Sequence, residues 1–231
     1  MIVVTGAGRC GSSMLMQTLY HLGVPLMGDP LGGEFNTLAP FDETGKYAEQ
    51  IREKNKKGYW ELDNDYVINT LLKKPFGKNG YGKAIKALGA TLPLFSPKDI
   101  DLAILCLRKD RNKQAQSMYE LMQAELGIVD TSKKDLGWIG EKVNIFKDWS
   151  LEDVRRNQDH SLNMITKKLS YEKILTHITF FEDMKKDPAK EVKRLVEALK
   201  LSERSFNTKE EETYARKYSK KKIKKAIENI D

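Results

Sequence analysis

The sequence predicts one α/β domain, a three-layer α/β/α arrangement around a central parallel sheet. Three observations carry this. First, the β-branched run Ile2-Val3-Val4-Thr5 leads into the turn Gly6-Ala7-Gly8-Arg9-Cys10-Gly11-Ser12-Ser13 and then into a helical apolar pattern. Second, later apolar runs alternate with helical stretches, and no two lie close enough for a hairpin. Third, Leu102–Leu107 is apolar throughout, as expected of a strand covered on both faces. A length of 231 residues suits a single domain, with loop insertions near 24–60 and 128–149 and a basic tail at 216–231.

Taken in order, the first helix covers Met14–Leu22, with Gly23 as its stop. Residues 24–60 hold Pro25, Pro30, Pro40 and five glycines and read as loop, with a short helix near Tyr47–Lys56. A helix over Trp60–Leu72 follows, then a second strand at Lys83–Leu88 and a third at Leu102–Leu107. Arg108-Lys109-Asp110-Arg111 opens a helix to about Leu126, capped by Gly127. After an irregular stretch with Trp138 and Trp149, Ser150 is the N-cap of a helix towards Leu169. A fourth strand covers Ile178–Glu182. Asp187-Pro188 then starts a helix whose buried stripe is Val192, Leu195, Val196 and Leu199.

Charged residues make up 32% of the chain, and no run approaches the roughly 20 apolar residues of a membrane span. The first strand begins at residue 2, so no signal peptide is expected. Two cysteines, Cys10 and Cys106, form neither a disulfide framework nor a metal pattern. A cytoplasmic location is expected, with no membrane and no nucleic-acid partner. The net charge of +7 is concentrated: residues 216–225 carry seven cations and no acid, and the rest is near neutral. That tail reads either as a solvated helix or as a basic flap over a polyanionic cofactor.

A strand, a glycine-rich turn and a helix aim several N–H groups and a helix N-terminus at one anion. Three phosphate loops fit the glycines. The nucleoside-triphosphate pattern G-x-x-x-x-G-K-[ST] fits at Gly6, Gly11 and Ser13, but Ser12 fills the lysine slot. The third strand also ends in Arg108, where such enzymes want a carboxylate for magnesium. The dinucleotide pattern G-x-G-x-x-G fits literally, with Asp29 as the ribose acid. The stretch before Asp29 contains Pro25, which suits a central strand badly. A cysteine-phosphatase loop would need an arginine six positions after Cys10, where Met16 stands.

The third pattern is more specific. Val4–Leu15 resembles the strand-loop-helix of sulfotransferases that use 3′-phosphoadenosine-5′-phosphosulfate, typically G-x-x-R-S-G-T-S/T-L-L. Gly58-Tyr59-Trp60-Glu61, Ile104–Arg111 with Ser117, and Phe180–Met184 with Asp187-Pro188 are similar to later family segments, in the family's order. The resemblance implies a P-loop NTPase-like fold of sulfotransferase type. It implies that Gly8, Arg9, Cys10, Gly11, Ser12 and Ser13 hold the 5′-phosphosulfate, and that Arg108 and Ser117 hold the 3′-phosphate. Lys86 lies close to where many members carry a lysine. No metal is implied. Ser117 follows Arg108 by nine residues where the family usually has eight, which would turn it about 100° around a helix.

Sulfuryl transfer also needs cations at the leaving oxygen and a base for the acceptor proton. Arg9 supplies the cation. Many members of the family carry their base as a histidine after the second strand, where this chain has none, and others as a glutamate soon after the first helix; the resemblance thus points to Glu34 and then Glu61 as base candidates. The acceptor is a hydroxyl or amine of a small molecule or carbohydrate, with Tyr59, Trp60 and Trp138 lining its pocket. The alternatives left standing are a Rossmann-type dinucleotide-binding protein and a P-loop kinase-like protein.

Overall fold

A computed structural model describes residues 1–26, 82–128, 147–204 and 218–230. Four strands form one parallel sheet: β1 (Ile2–Thr5), β2 (Ala84–Lys86), β3 (Leu102–Leu107) and β4 (Thr176–Phe180), in the order β2-β1-β3-β4. Val3 pairs with Ile85 on one side and Ala103 on the other, and Leu105 pairs with Ile178. The helices, numbered over the described residues, are α1 (Ser12–Leu22), α2 (Arg111–Ile128), α3 (Leu151–Tyr171), α4 (Phe181–Lys186), α5 (Pro188–Arg204) and α6 (Lys220–Glu228).

The alternation of side chains along each strand divides the core in two. Ile2, Val4, Leu102, Ile104 and Cys106 face a layer made by α1, α5 and α6, including Leu15, Leu19, Val192, Leu195 and Ala226. Val3, Ile85, Ala103 and Leu105 face the other way, onto Ile165 and Leu169 of α3 and onto Leu92 and Phe95 in and after a 3₁₀ segment at Gly89–Leu94. β1 and β3 are thus covered on both sides, which is why they are apolar at successive positions. A smaller cluster of Ala115, Met122 and Val154 joins α2 to α3.

Several elements lie where the sequence puts them. Gly23 ends α1 in the left-handed region at φ 83°, its N–H bonded back to Tyr20. Ser150 and Asp153 form a reciprocal capping box on α3. Asp187 accepts the Lys190 N–H in front of Pro188, and all four residues of the α5 stripe are buried. Others shift. β2 is shorter than Lys83–Leu88, and α2 runs on through Gly127 rather than ending there. β4 ends at Phe180, and Phe181–Lys186 is a helix, with Glu182 and Asp183 in the first turn where its dipole favours acids. The expected helices near Tyr47–Lys56 and over Trp60–Leu72 lie outside the described residues.

Residues 218–230 of the basic tail are described. Its described part is α6, held to the core by Ala226 and Ile230 and packed on α1 and α5. The Lys222 ammonium lies against Gly23, and the charge of Lys225 acts on His21. Both lysines therefore sit at the carboxyl end of α1, the negative end of its dipole, about 16 Å along the helix from the glycine turn. No described residue of the tail reaches over that turn. Among the described residues no helix is long and apolar enough to cross a membrane.

Two outcomes follow from this packing. Ile104→Ala leaves a cavity beneath α1 and should cost about 2–5 kcal/mol in urea unfolding. Burial, and then the Arg194 guanidinium, hold the His177 imidazole below its usual range, with Glu191 opposing. The unfolded chain then takes up a proton near pH 6.5 more readily than the fold does. The stability is complete above that pH and is lost as pH falls through it. The urea midpoint should drop between pH 7.5 and 5.5, and His177→Gln should flatten part of that drop; an unchanged slope would contradict the assignment.

Candidate functional site

In the order β2-β1-β3-β4 the chain leaves β1 towards β2 on one side and leaves β3 towards β4 on the other, so the connections from these two neighbours part in opposite directions. Open α/β sheets bind ligands in the crevice at the carboxyl ends of such strands. The turn after β1 and Arg108 after β3 both lie there. A Cβ at Gly6 would stand 2.4 Å from the Cys106 carbonyl and 2.7 Å from Cys10 Sγ, so only glycine lets the chain turn this close to β3. Gly11, at φ 94°, is the N-cap of α1 and lies against Phe181, whose ring would be 2.6 Å from an added Cβ. Gly11 brings no side-chain cap to α1, and the first turn of the helix carries no acid. The Ser12 N–H faces the Cys10 sulfur; an N-terminus of this kind, with no acid in its first turn, suits an anion.

The cations converge on this end. Arg9 adopts a left-handed backbone (φ 63°), and its Nε donates to Ser117 Oγ at 3.0 Å. Among the described residues its partner is this neutral hydroxyl and not a carboxylate. Lys86, the last residue of β2, is buried, and its Nζ donates to Ser13 Oγ at 3.2 Å. A lysine thus reaches the start of α1 from the neighbouring strand, although Ser12 fills the lysine slot in sequence. Arg108 stacks its guanidinium over Phe181, 4.5 Å from the ring centroid, with the Glu182 carboxylate 3.9 Å from its Nε. That Nε is buried with no hydrogen-bond partner among the described residues. Glu182 also takes the Lys109 N–H at 3.0 Å.

Ser117 faces the turn despite its offset from Arg108. α2 begins at Arg111, and residues 114, 117 and 118 share one face of it. Gln114 Nε2 donates to the Ala7 and Gly8 carbonyls, Ser117 meets Arg9, and Met118 packs at Gly8. Gln158 of α3 also donates to the Gly8 carbonyl. Cys10 and Cys106 are both buried, and the Cys106 thiol donates to the Cys10 carbonyl at 2.8 Å. Their mutual hydrogen bonding holds the Cys10 thiol below the usual range and, with burial, pushes Cys106 well above it. The Cys10 side chain is packed within the turn.

The structure therefore brings together Gly8, Arg9, Gly11, Ser12, Ser13, Lys86, Arg108 and Ser117. Glu34 and Glu61, with Tyr59, Trp60 and Trp138, lie outside the described residues. Sequence reasoning missed Gln114, Gln158, Phe181 and Glu182. Gln114 was within reach, being one helical turn before Ser117. Gln158 was not, since 150 residues separate it from Gly8. Among the described residues no group of acids, histidines and cysteines is placed to hold a metal. Comparison with family models, curated proteins and solved structures finds no match to the chain.

Substituting Gly6 tests the crowding at β3. Gly6→Ala must displace backbone, at a cost of about 1–3 kcal/mol, and should both lower the melting temperature and abolish anion binding at the turn. A variant of unchanged melting temperature would contradict the contact with Cys106.

Proposed function

We propose that this chain is a sulfotransferase that moves a sulfuryl group from 3′-phosphoadenosine-5′-phosphosulfate to a hydroxyl or amine. The observation that carries the proposal is that Lys86 reaches Ser13 at the start of α1 while Arg9 stands in the turn just before it, bonded to Ser117, with Gly11 bringing no side chain to the helix N-cap. In-line attack on sulfur builds negative charge on the oxygen bridging to the departing 5′-phosphate. Donors already aimed at that position stabilise it without reorganising. The N–H groups of residues 8–13 and the Ser12 and Ser13 hydroxyls hold the phosphosulfate, and Arg9 and Lys86 take up the developing charge. Arg108, with an unused buried N–H, and Ser117 on the Arg9 side of the turn suit the 3′-phosphate. Glu34, or else Glu61, is the base that accepts the acceptor's proton, and the acceptor is a small molecule or carbohydrate. No metal takes part. The sheet order and the glycine turn support a P-loop, sulfotransferase-type fold.

A dinucleotide-binding protein fits less well. Its second strand would follow α1 and pair with β1. Here Leu26, after α1, bridges instead to Ala84 of β2, with Pro25 giving only its carbonyl to the Ala84 N–H. A kinase-like reading gains from Lys86 but loses at Arg108, which stands where magnesium would need a carboxylate.

Thermal shift separates the three. A ligand at about 100 times its dissociation constant adds about 2.7 kcal/mol. Adenosine 3′,5′-bisphosphate should raise the melting temperature where ATP with magnesium and NAD do not, and the reverse order would overturn the proposal. Once an acceptor screen gives turnover, Lys86→Met should lower kcat by about 10²–10³-fold with a small change in melting temperature.

A further inference from the structure

We propose that Gln114 and Gln158 are positioning residues: they hold the carbonyls of Ala7 and Gly8 away from the anion and so keep the loop's N–H groups turned towards it. The identity of the anion rests on the sulfotransferase proposal; the geometry of the loop does not. Each peptide in a turn carries one donor and one acceptor, and rotating a peptide exchanges them. An anion site needs the acceptors engaged elsewhere. The Gly8 carbonyl receives two donors, Gln114 Nε2 at 2.8 Å and Gln158 Nε2 at 3.0 Å, which occupies both of its lone pairs. Gln114 also reaches the Ala7 carbonyl at 3.1 Å. These donors come from two different helices, and the turn between them is held as by a clamp.

The orientation of Gln114 is fixed by its other end. Its Oε1 accepts from Arg111 Nη1 at 2.7 Å, and Arg111 Nη2 pairs with Asp159 of α3. An arginine can only donate, so the amide oxygen must face Arg111 and the nitrogen must face the loop. Gln158 is buried, and its Oε1 has no partner among the described residues. A buried acceptor left unsatisfied is costly, and what is retained in exchange is the donor on Gly8. The next residue, Arg9, holds a left-handed backbone without being glycine. Such a conformation persists where its surroundings over-determine it, and the two amides on Gly8 do so.

Gln114→Met and Gln158→Met keep chain length and remove the donors; Arg111→Met leaves Gln114 in place but frees its amide to turn. Each is compared with the full-length wild type, and Ile104→Ala serves as a control destabilised in the core. Hydrogen exchange reads residues 7–13, and calorimetry reads adenosine 3′,5′-bisphosphate. The glutamine variants should speed exchange of the turn and raise the dissociation constant about tenfold, and Arg111→Met should raise it about threefold. Ile104→Ala should leave the constant unchanged, which separates positioning from general loss of stability. Should a glutamine variant fail to fold, the Arg111 variant decides. Unchanged affinity in the variants overturns the clamp, whether or not exchange rises. If the wild type does not bind the bisphosphate, the sulfotransferase proposal falls, and inorganic pyrophosphate becomes the probe. Weaker pyrophosphate binding by the variants supports the clamp; equal binding, or none to the wild type, overturns it.

Discussion

Everything at this site depends on how closely the chain passes β3 as it leaves β1. The two strands pair in register from Ile2–Leu102 to Thr5–Leu105. The next residue, Gly6, is so near the Cys106 carbonyl that a single added carbon could not fit. That approach sets the Cys10 side chain beside Gly6 and its carbonyl on the Cys106 thiol. The turn is therefore pinned to the end of the sheet before α1 begins. Gly11, the N-cap of α1, then lies against Phe181, and the Arg108 guanidinium lies over the same ring. The helix N-terminus and the arginine that follows β3 are thus both packed against one ring.

Charge at the site is mixed, and magnitudes decide what an incoming anion meets. Lys109 is paired with Asp183 and Arg111 with Asp159, so neither brings an uncompensated charge. Glu182 lies 3.9 Å from Arg108 Nε without a hydrogen bond. A partly exposed pair of that kind is worth about 0–1 kcal/mol. A phosphate making two charge-assisted hydrogen bonds, each worth about 1.5–3 kcal/mol, competes successfully for the same guanidinium. Among the described residues Arg9 has no carboxylate to displace. Lys222 and Lys225 of α6 act elsewhere: at the carboxyl end of α1 they complement its dipole. The net charge of the chain is therefore a poor guide to the charge at its loop.

Much of the fold was legible because local rules and tertiary packing agree. The apolar run of β3, the Gly23 stop, the Ser150 cap and the stripe of α5 each follow from one local cause. Where they diverge, tertiary context wins. Phe181 and Glu182 continue a strand pattern in sequence. The register with β3 ends at Phe180, however, and a helix uses the acids that follow. Ser117 looked misplaced because its spacing was counted from Arg108; the relevant count starts where α2 starts. The loop of the candidate site was legible in Gly6, Arg9, Gly11 and Arg108. The groups that support it from other elements, Gln158 above all, leave no trace in a single chain read linearly.

Lys86 shows why a motif read by spacing alone can mislead. The serine at position 12 argues against a triphosphate loop because the pattern asks for a lysine there. An anion responds to charge in space, and Lys86 Nζ lies 3.2 Å from Ser13 Oγ, one residue along. The loop has its lysine, supplied by β2 through pairing with β1. Ser12 therefore no longer distinguishes a phosphosulfate from a triphosphate. The end of β3 still does. A carboxylate there would recruit magnesium to neutralise two neighbouring phosphates; a guanidinium repels that ion and binds phosphate itself. With Arg9, Lys86 and Arg108 all cationic, the charge to be neutralised is met by side chains. That suits a ligand whose phosphates are spread over two ends better than one that stacks three of them at a single metal.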